Sequence, residues 1–350
     1  MRTRRHPLSR KAAVAAASAV LALLLALGCS RERAPSGGQA SATHAAPQAG
    51  KIYLDFAGGP TGGTFNIFAA KIAAIATQAN DYIDVASKGT GGSAENLRLL
   101  DSGEVDLGIV YAGDAWLGRR GRLAEDDAPH TGVRALCTLY GASAHLVVRS
   151  DSGLTDPAEL AGRLVAVGNP GSGAALAAER FFSALGLWDV IDHRNLGYSR
   201  AAADFADDKL AAFWVLAGPP NNSIIEAASR VPVSLLDLDL PAKAYGLYDE
   251  HPYYASAVIP SGTYRGQDVD VMTFQDAALL CADAGVDEAA VYDTLTALYS
   301  ERGVQELRGA HPSARAMGLR SGLDGVCIPL HPGAVRFWEE HGVAVAAELK

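Results

Sequence analysis

What most constrains this chain is a repeated transition, from an alternating apolar run, through a glycine-rich loop, into a helical run. Ile52, Leu54 and Phe56 alternate as in a strand, which stops at Gly58-Gly59-Pro60-Thr61-Gly62-Gly63-Thr64. A helix is expected from Phe65 to about Gln78, with Phe68, Ile72 and Ile75 at spacings of three and four. Ile83 and Val85 mark a second strand, ending in Gly89-Thr90-Gly91-Gly92-Ser93. A helix carrying Leu97 and Leu100 closes at Gly103, and Val105 to Val110 is a third strand. This is a βαβαβ unit.

A comparable series recurs. Leu164 to Val167 reads as a strand, followed by Gly168-Asn169-Pro170-Gly171-Ser172-Gly173 and an alanine-rich helix to about Leu185. A short strand near Leu196 and Tyr198, a helix from Arg200 to Asp207 and a strand from Ala211 to Leu216 come next. That strand ends in Ala217-Gly218-Pro219-Pro220, with a helix and the strand Val233 to Leu236 beyond. Two such units predict an α/β fold of two lobes, each an open sheet, facing each other across a cleft. Residues 51–143 and 257–350 are assigned to lobe 1 and 144–256 to lobe 2. The segment from Tyr253 to Cys281 returns to the first lobe, and helices near Asp287–Tyr299 and Ala334–Leu349 pack on it.

Ligands of open α/β sheets bind at the carboxyl ends of strands, where this chain concentrates its glycine loops. Three of them share one design, small residues, then a hydroxyl, then a helix start: Thr61–Thr64, Thr90–Ser93 and Pro170–Gly173. Glycine lets backbone approach a ligand, and a helix N-terminus offers free N–H groups with about half a positive charge. Thr64, Ser93 and Ser172 can each cap a helix or donate to a ligand oxygen. Ser93 with Asn96 resembles a capping pair. Any one loop is equally well a tight turn; three at one edge point to an anion site. Trp214 and Tyr264 are aromatics beside these loops, able to stack on a ligand or to pack in a core.

Catalytic patterns are missing. No GxSxG surrounds Ser93 or Ser172, no GxxxxGK[ST] exists, and the glycines of Gly168–Gly173 are in the wrong order for GxGxxG. There is no HExxH, and His145, His193 and His331 stand apart as structural histidines. No cofactor, metal site or enzymatic activity is expected.

The N-terminus suggests the compartment. Arg2, Arg4, Arg5, Arg10 and Lys11 precede an apolar stretch from Ala12 to Leu27, then Ala26-Leu27-Gly28-Cys29, which resembles a lipobox. Residues 1–28 are read as a lipoprotein signal and Cys29 as the lipidated residue, with a plain signal peptide or an uncleaved anchor as alternatives. Residues 29–50, poor in apolar bulk, are expected to be a flexible tether. Beyond residue 28 there remain 25 basic and 39 acidic residues, a formal charge of −14, which argues against nucleic acid as a partner. Cys137 and Cys281 sit in apolar runs and read as buried thiols, the alternative being a Cys281–Cys327 disulfide.

At these residues the chain resembles the TAXI receptors, the TRAP-associated extracytoplasmic immunogenic solute-binding proteins. The resemblance runs in order through Thr61–Thr64, Thr90–Leu100, Pro170–Ala174, Ala212–Pro220, Pro260–Gln267 and His331–Ala334. It implies a type II periplasmic-binding-protein fold and capture of a small carboxylate, glutamate-like or a dicarboxylate, for delivery to an ion-driven TRAP permease. The departures include Phe65 for tyrosine, Ala211 for aspartate, Trp214 for phenylalanine, Ala174 for threonine and Arg265 for proline.

The expected protein is thus a receptor in the periplasm or at the cell surface, tethered by lipid or soluble, that binds a small anionic solute. Its expected ligand-binding residues are Thr61, Thr64, Ser93, Asn96, Asp114, Ser172, Gly173, Trp214 and Tyr264. Asp114 would answer a ligand amine, Asn96 would orient the ligand or the Ser93 loop, and Tyr264 would seal the cleft. The rival readings are an enzyme on the same fold and a sensor signalling to a membrane partner.

Overall fold

The computed structural model describes residues 50–124 and 126–350. The leader, most of the tether and Cys29 lie outside them. The first unit contains β1 (Ile52–Ala57), α1 (Thr64–Ala79), β2 (Ile83–Lys88), α2 (Ser93–Asp101), β3 (Leu107–Tyr111) and α3 (Ala112–Gly118). Strand β1 pairs in parallel with both β2 and β3, so α1 and α2 are its crossovers. Helix α1 forms because Phe65, Phe68, Ile72 and Ile75 make one apolar stripe, and all four are buried. Each such side chain contributes about 1.5–3 kcal/mol on burial. Strand β3 is buried at every position, as expected of a parallel strand covered on both faces.

The 17-residue β4 (Val133–Arg149) follows, then β5 (Leu164–Ala166), α4 (Gly173–Ala184), β6 (Asp192–Arg194), α5 (Tyr198–Ala206), β7 (Ala212–Ala217), α6 (Asn222–Arg230) and β8 (Val233–Leu235). Two short helices, α7 (Asp239–Ala244) and α8 (Leu247–Glu250), lead to β9 (Ala255–Ile259) and the long β10 (Val271–Asp283). Helices α9 (Glu288–Tyr299), α10 (Glu301–Ala310) and α11 (Pro332–Glu340) end the chain.

Two sheets were expected, but the strands form one continuous path, β2-β1-β3-β10-β4-β7-β5-β6. The reason is the length of β4, about 55 Å if fully extended. Its first part pairs with β10 and its last part, Ser143 to Val148, with β7. Strand β10 likewise pairs with β3 through Ala278–Ala282 and with β9 through Val271–Gln275. The β10–β4 register slips at two points, where such irregularities sharpen local twist. Two α/β lobes therefore share two long strands, and the expected boundaries at 143/144 and 256/257 fall inside β4 and β9.

The short strand expected near Leu196 and Tyr198 lies earlier, at the exposed edge Asp192–Arg194, and Tyr198 instead opens α5. Cys137, Cys281 and Cys327 are free thiols, the first two buried. His331 caps α11: its Nδ1 accepts the Gly333 N–H at 3.2 Å.

Candidate functional site

The carboxyl ends of β1, β2, β3, β5 and β7 deliver their loops to one cavity. It is lined from the first lobe by Pro60, Gly63, Thr64, Gly92, Ser93 and Tyr111, and from the second by Asn169, Ser172, Gly173, Tyr198 and Leu216, among others. Tyr140, on the shared strand β4, completes the wall. With the lobes in this arrangement the cavity measures about 20 Å³, room for little more than one water.

Four helices of nine or more residues begin at this cavity: α1, α2, α4 and α5. First-turn N–H groups have no partner within their own helix, so those of Ser93, Gly173 and Ala174 converge with their partial positive charge. No lining residue carries a charged side chain. An anion here would be held by backbone dipoles and neutral donors.

Close approach explains two of the glycines. Gly92 has φ +122° and ψ −155°, a region essentially reserved for glycine. A Cβ on Gly173 would fall 2.8 Å from the Ser93 Cβ and collide with Asp114 Oδ2. The starts of α2 and α4 can meet across the cleft only because that Cβ is missing.

The three hydroxyls have different tasks. Ser172 is the N-cap of α4; its Oγ accepts the Ala175 N–H at 3.1 Å and donates to the Asn169 carbonyl at 2.9 Å. Thr64 and Ser93 do not cap, because glycines 63 and 92 occupy the cap positions. Thr64 donates across the cleft to the Gly218 carbonyl at 3.2 Å. Ser93 Oγ accepts the Tyr111 N–H at 2.8 Å, which leaves its own hydrogen for another acceptor.

Three phenols line the cavity that the sequence reading did not single out. The hydroxyls of Tyr111 and Tyr198 both donate to the Leu216 carbonyl, at 2.6 and 2.9 Å. Tyr140 is 1% exposed, and its hydroxyl has no hydrogen-bond partner among the described residues. The neighbouring Thr64 hydroxyl opposes its upward pKa shift, and since Thr64 gives its own hydrogen to Gly218 it can face Tyr140 only as an acceptor. Burial pushes all three phenols up, so they stay neutral donors.

The other expected site residues fall elsewhere. Asn96 is fully buried behind the loops: its amide donates to the carbonyls of Gly58 (2.6 Å), Ile109 (2.8 Å) and Ala57 (3.2 Å), and its Oδ1 accepts the Thr90 hydroxyl at 2.6 Å. It pins the ends of β1 and β3, and the capping pair with Ser93 does not form. Thr61 is exposed and outside the lining. Trp214 packs in the core among Phe181, Phe182 and Phe274. Two residues back from Leu216, which lines the cavity, it sits about 7 Å deeper along the strand. Tyr264 lies in a buried network, its hydroxyl accepting the Asn221 N–H and meeting His145 Nε2, both at 2.9 Å. Asp114 pairs with Arg180 at 3.0 Å and does not line the cavity. Beside them, burial and then the Asp114 charge hold the Asp276 carboxyl well above the usual carboxylate range.

Among solved structures the chain is similar to a protein of Bordetella bronchiseptica RB50, at 17% identity and TM-score 0.48, covering 83% of this chain and 82% of that one. It is also similar to a TctC solute binding protein from Polaromonas (15%, TM-score 0.45, 76% and 88% covered). A third is the periplasmic aliphatic sulphonate binding protein of Escherichia coli (14%, TM-score 0.42, 83% of each). The family comparison reaches further, since one family's sequence model spans residues 56–342, from the end of β1 to just past α11. The chain belongs to the NMT1-like family.

Proposed function

We propose that this protein is an extracytoplasmic solute receptor that captures a small carboxylate between its lobes and releases it unchanged to a membrane transporter. The observation that carries this reading is the convergence of four helix N-termini, with the unpartnered Tyr140 hydroxyl, on a cavity without a charged side chain. Dipoles of that sign favour an anion. Ser93 and Gly173 reach the ligand from opposite lobes, so it would bind the closed form more tightly, as a ligand that drives closure must.

The resemblance to TAXI receptors supports an ion-driven TRAP permease as the partner, and a lipid on Cys29 as the tether. Among the described residues no helix is long and apolar enough to cross a membrane. We assign residues 51–143 and 257–350 to one lobe and 144–256 to the other, with β4 and β10 as the hinge. Binding would involve Ser93 and Gly173, joined by Tyr140, with Thr64 and Ser172 shaping the wall around the ligand.

A thermal-shift panel on the purified protein tests the reading, with propanoate, succinate and glutamate set against glucose and ribose. Carboxylates should raise the melting temperature, and one at about a hundred times its dissociation constant should add about 2.7 kcal/mol. Stabilisation by the sugars alone contradicts it.

A further inference from the structure

The lining that attracts one anion has nothing for a second charge. Its uncommitted polar groups are the first-turn N–H groups, the Ser93 hydrogen, the Tyr140 hydroxyl and the neutral amide of Asn169, enough for the two oxygens of one carboxylate. The apolar part of the lining is Pro60, Phe65, Ala174, Leu216 and Ala217. A second carboxylate would need a cation, and Arg180, buried nearby, is paired with Asp114 at 3.0 Å. Asp114 does not line the cavity: its Oδ1 meets Arg180, and its Oδ2, beside Gly173, is buried without a partner among the described residues. Burying an uncompensated charge is costly.

We propose that the ligand is a small monocarboxylate with an apolar body, and that the cleft discriminates against dicarboxylates. This rests on the reading of the cleft as an anion site and narrows it. Tyr140 is assigned as the specificity-determining donor. Its buried hydroxyl lacks a partner, so a carboxylate oxygen would complete it, and a neutral amide nitrogen in that place would not.

Calorimetric titration of the purified protein decides the matter. The probes are 2-methylpropanoate, 3-methylbutanoate and benzoate, then succinate and glutamate, the neutral 2-methylpropanamide and benzamide, and ethanesulfonate. At least one monocarboxylate should bind about tenfold or more tightly than succinate, glutamate and its own amide. Tyr140→Phe should weaken that monocarboxylate by about tenfold. The same variant should melt, unliganded, no lower than the wild type, because the hydroxyl it removes is buried and unpartnered. Tighter binding of succinate or glutamate overturns the ligand class and leaves the anion site standing. Tighter binding of ethanesulfonate overturns the carboxylate itself. Tighter binding of the amides, or no binding by any probe, overturns both the inference and the anion reading. An unchanged affinity in Tyr140→Phe removes Tyr140 from the role given to it.

Discussion

Arg180 of α4 and Asp114 of α3 meet at 3.0 Å, with side chains 11% and 1% exposed. They join α3 of one lobe to α4 of the other, with Asp114 Oδ2 beside Gly173. A buried ion pair adds little over apolar packing, but removing one partner strands the other in a dry site. Asp114→Ala should therefore cost roughly 3–5 kcal/mol, and the double variant Asp114→Ala with Arg180→Met should recover part of it. Urea unfolding midpoints measure this; a single variant within about 0.5 kcal/mol of wild type would show the pair to be solvated.

The network behind the cleft titrates in mild acid. Burial lowers His145 to about 4; it meets the Ser143 carbonyl through Nδ1 and the Tyr264 hydroxyl through Nε2, each at 2.9 Å. The folded state binds this proton more weakly than the unfolded chain. The contribution is thus fully present above the unfolded value of about 6.5 and is lost as pH falls toward 4. Wild type should lose about 3 kcal/mol over that window from this group, and His145→Gln should flatten the slope. Denaturant titrations between those pH values check it, and parallel curves for the two proteins would contradict the assignment.

Ser172 lines the cleft, but both its hydrogen-bonding roles are taken by Ala175 and Asn169. Ser172→Ala should cost about 0.5–2 kcal/mol and Ser172→Gly only a few tenths, with ligand affinity nearly unchanged in both. Melting curves beside calorimetric titrations separate stability from binding. A tenfold loss of affinity in Ser172→Gly would mean that the hydroxyl turns to the ligand when it binds.

Much of this site was legible in the sequence, for a physical reason. Loops at Thr64, Ser93 and Ser172 lie at strand ends, and a strand–loop–helix unit places its loop at the sheet edge whatever the rest of the chain does. Tyr140 was not legible. It sits in mid-β4, and which part of a 17-residue strand faces the cleft depends on its pairing with β10 and β7, set by residues more than 70 positions away. Trp214 failed in the opposite sense: sequence proximity to the loop after β7 says nothing of depth along the strand. Asn96 carried a real signal whose meaning only the fold reveals, since its partners Gly58 and Ile109 come from two other strand ends. The task of capping shifted by one residue at α1 and α2, because glycines 63 and 92 take the cap positions that their hydroxyl neighbours were expected to serve.

Delivery is tested at Cys29. Cys29→Ser should move the protein from the membrane fraction to the soluble fraction of cells, and loss of the acyl chains should be visible in the mass of the isolated protein. Equal release of both forms would contradict the lipid tether.

The most direct test of the central claim is a crystal structure of the protein with the tightest-binding carboxylate. One carboxylate group should lie within about 3 Å of the backbone nitrogens at the starts of α2 and α4 and of Tyr140 Oη. Its apolar end should lie against Phe65 and Leu216. A carboxylate instead lodged against Arg122 and Arg180, in the outer groove of about 460 Å³ that also reaches Glu250 and His251, would contradict it.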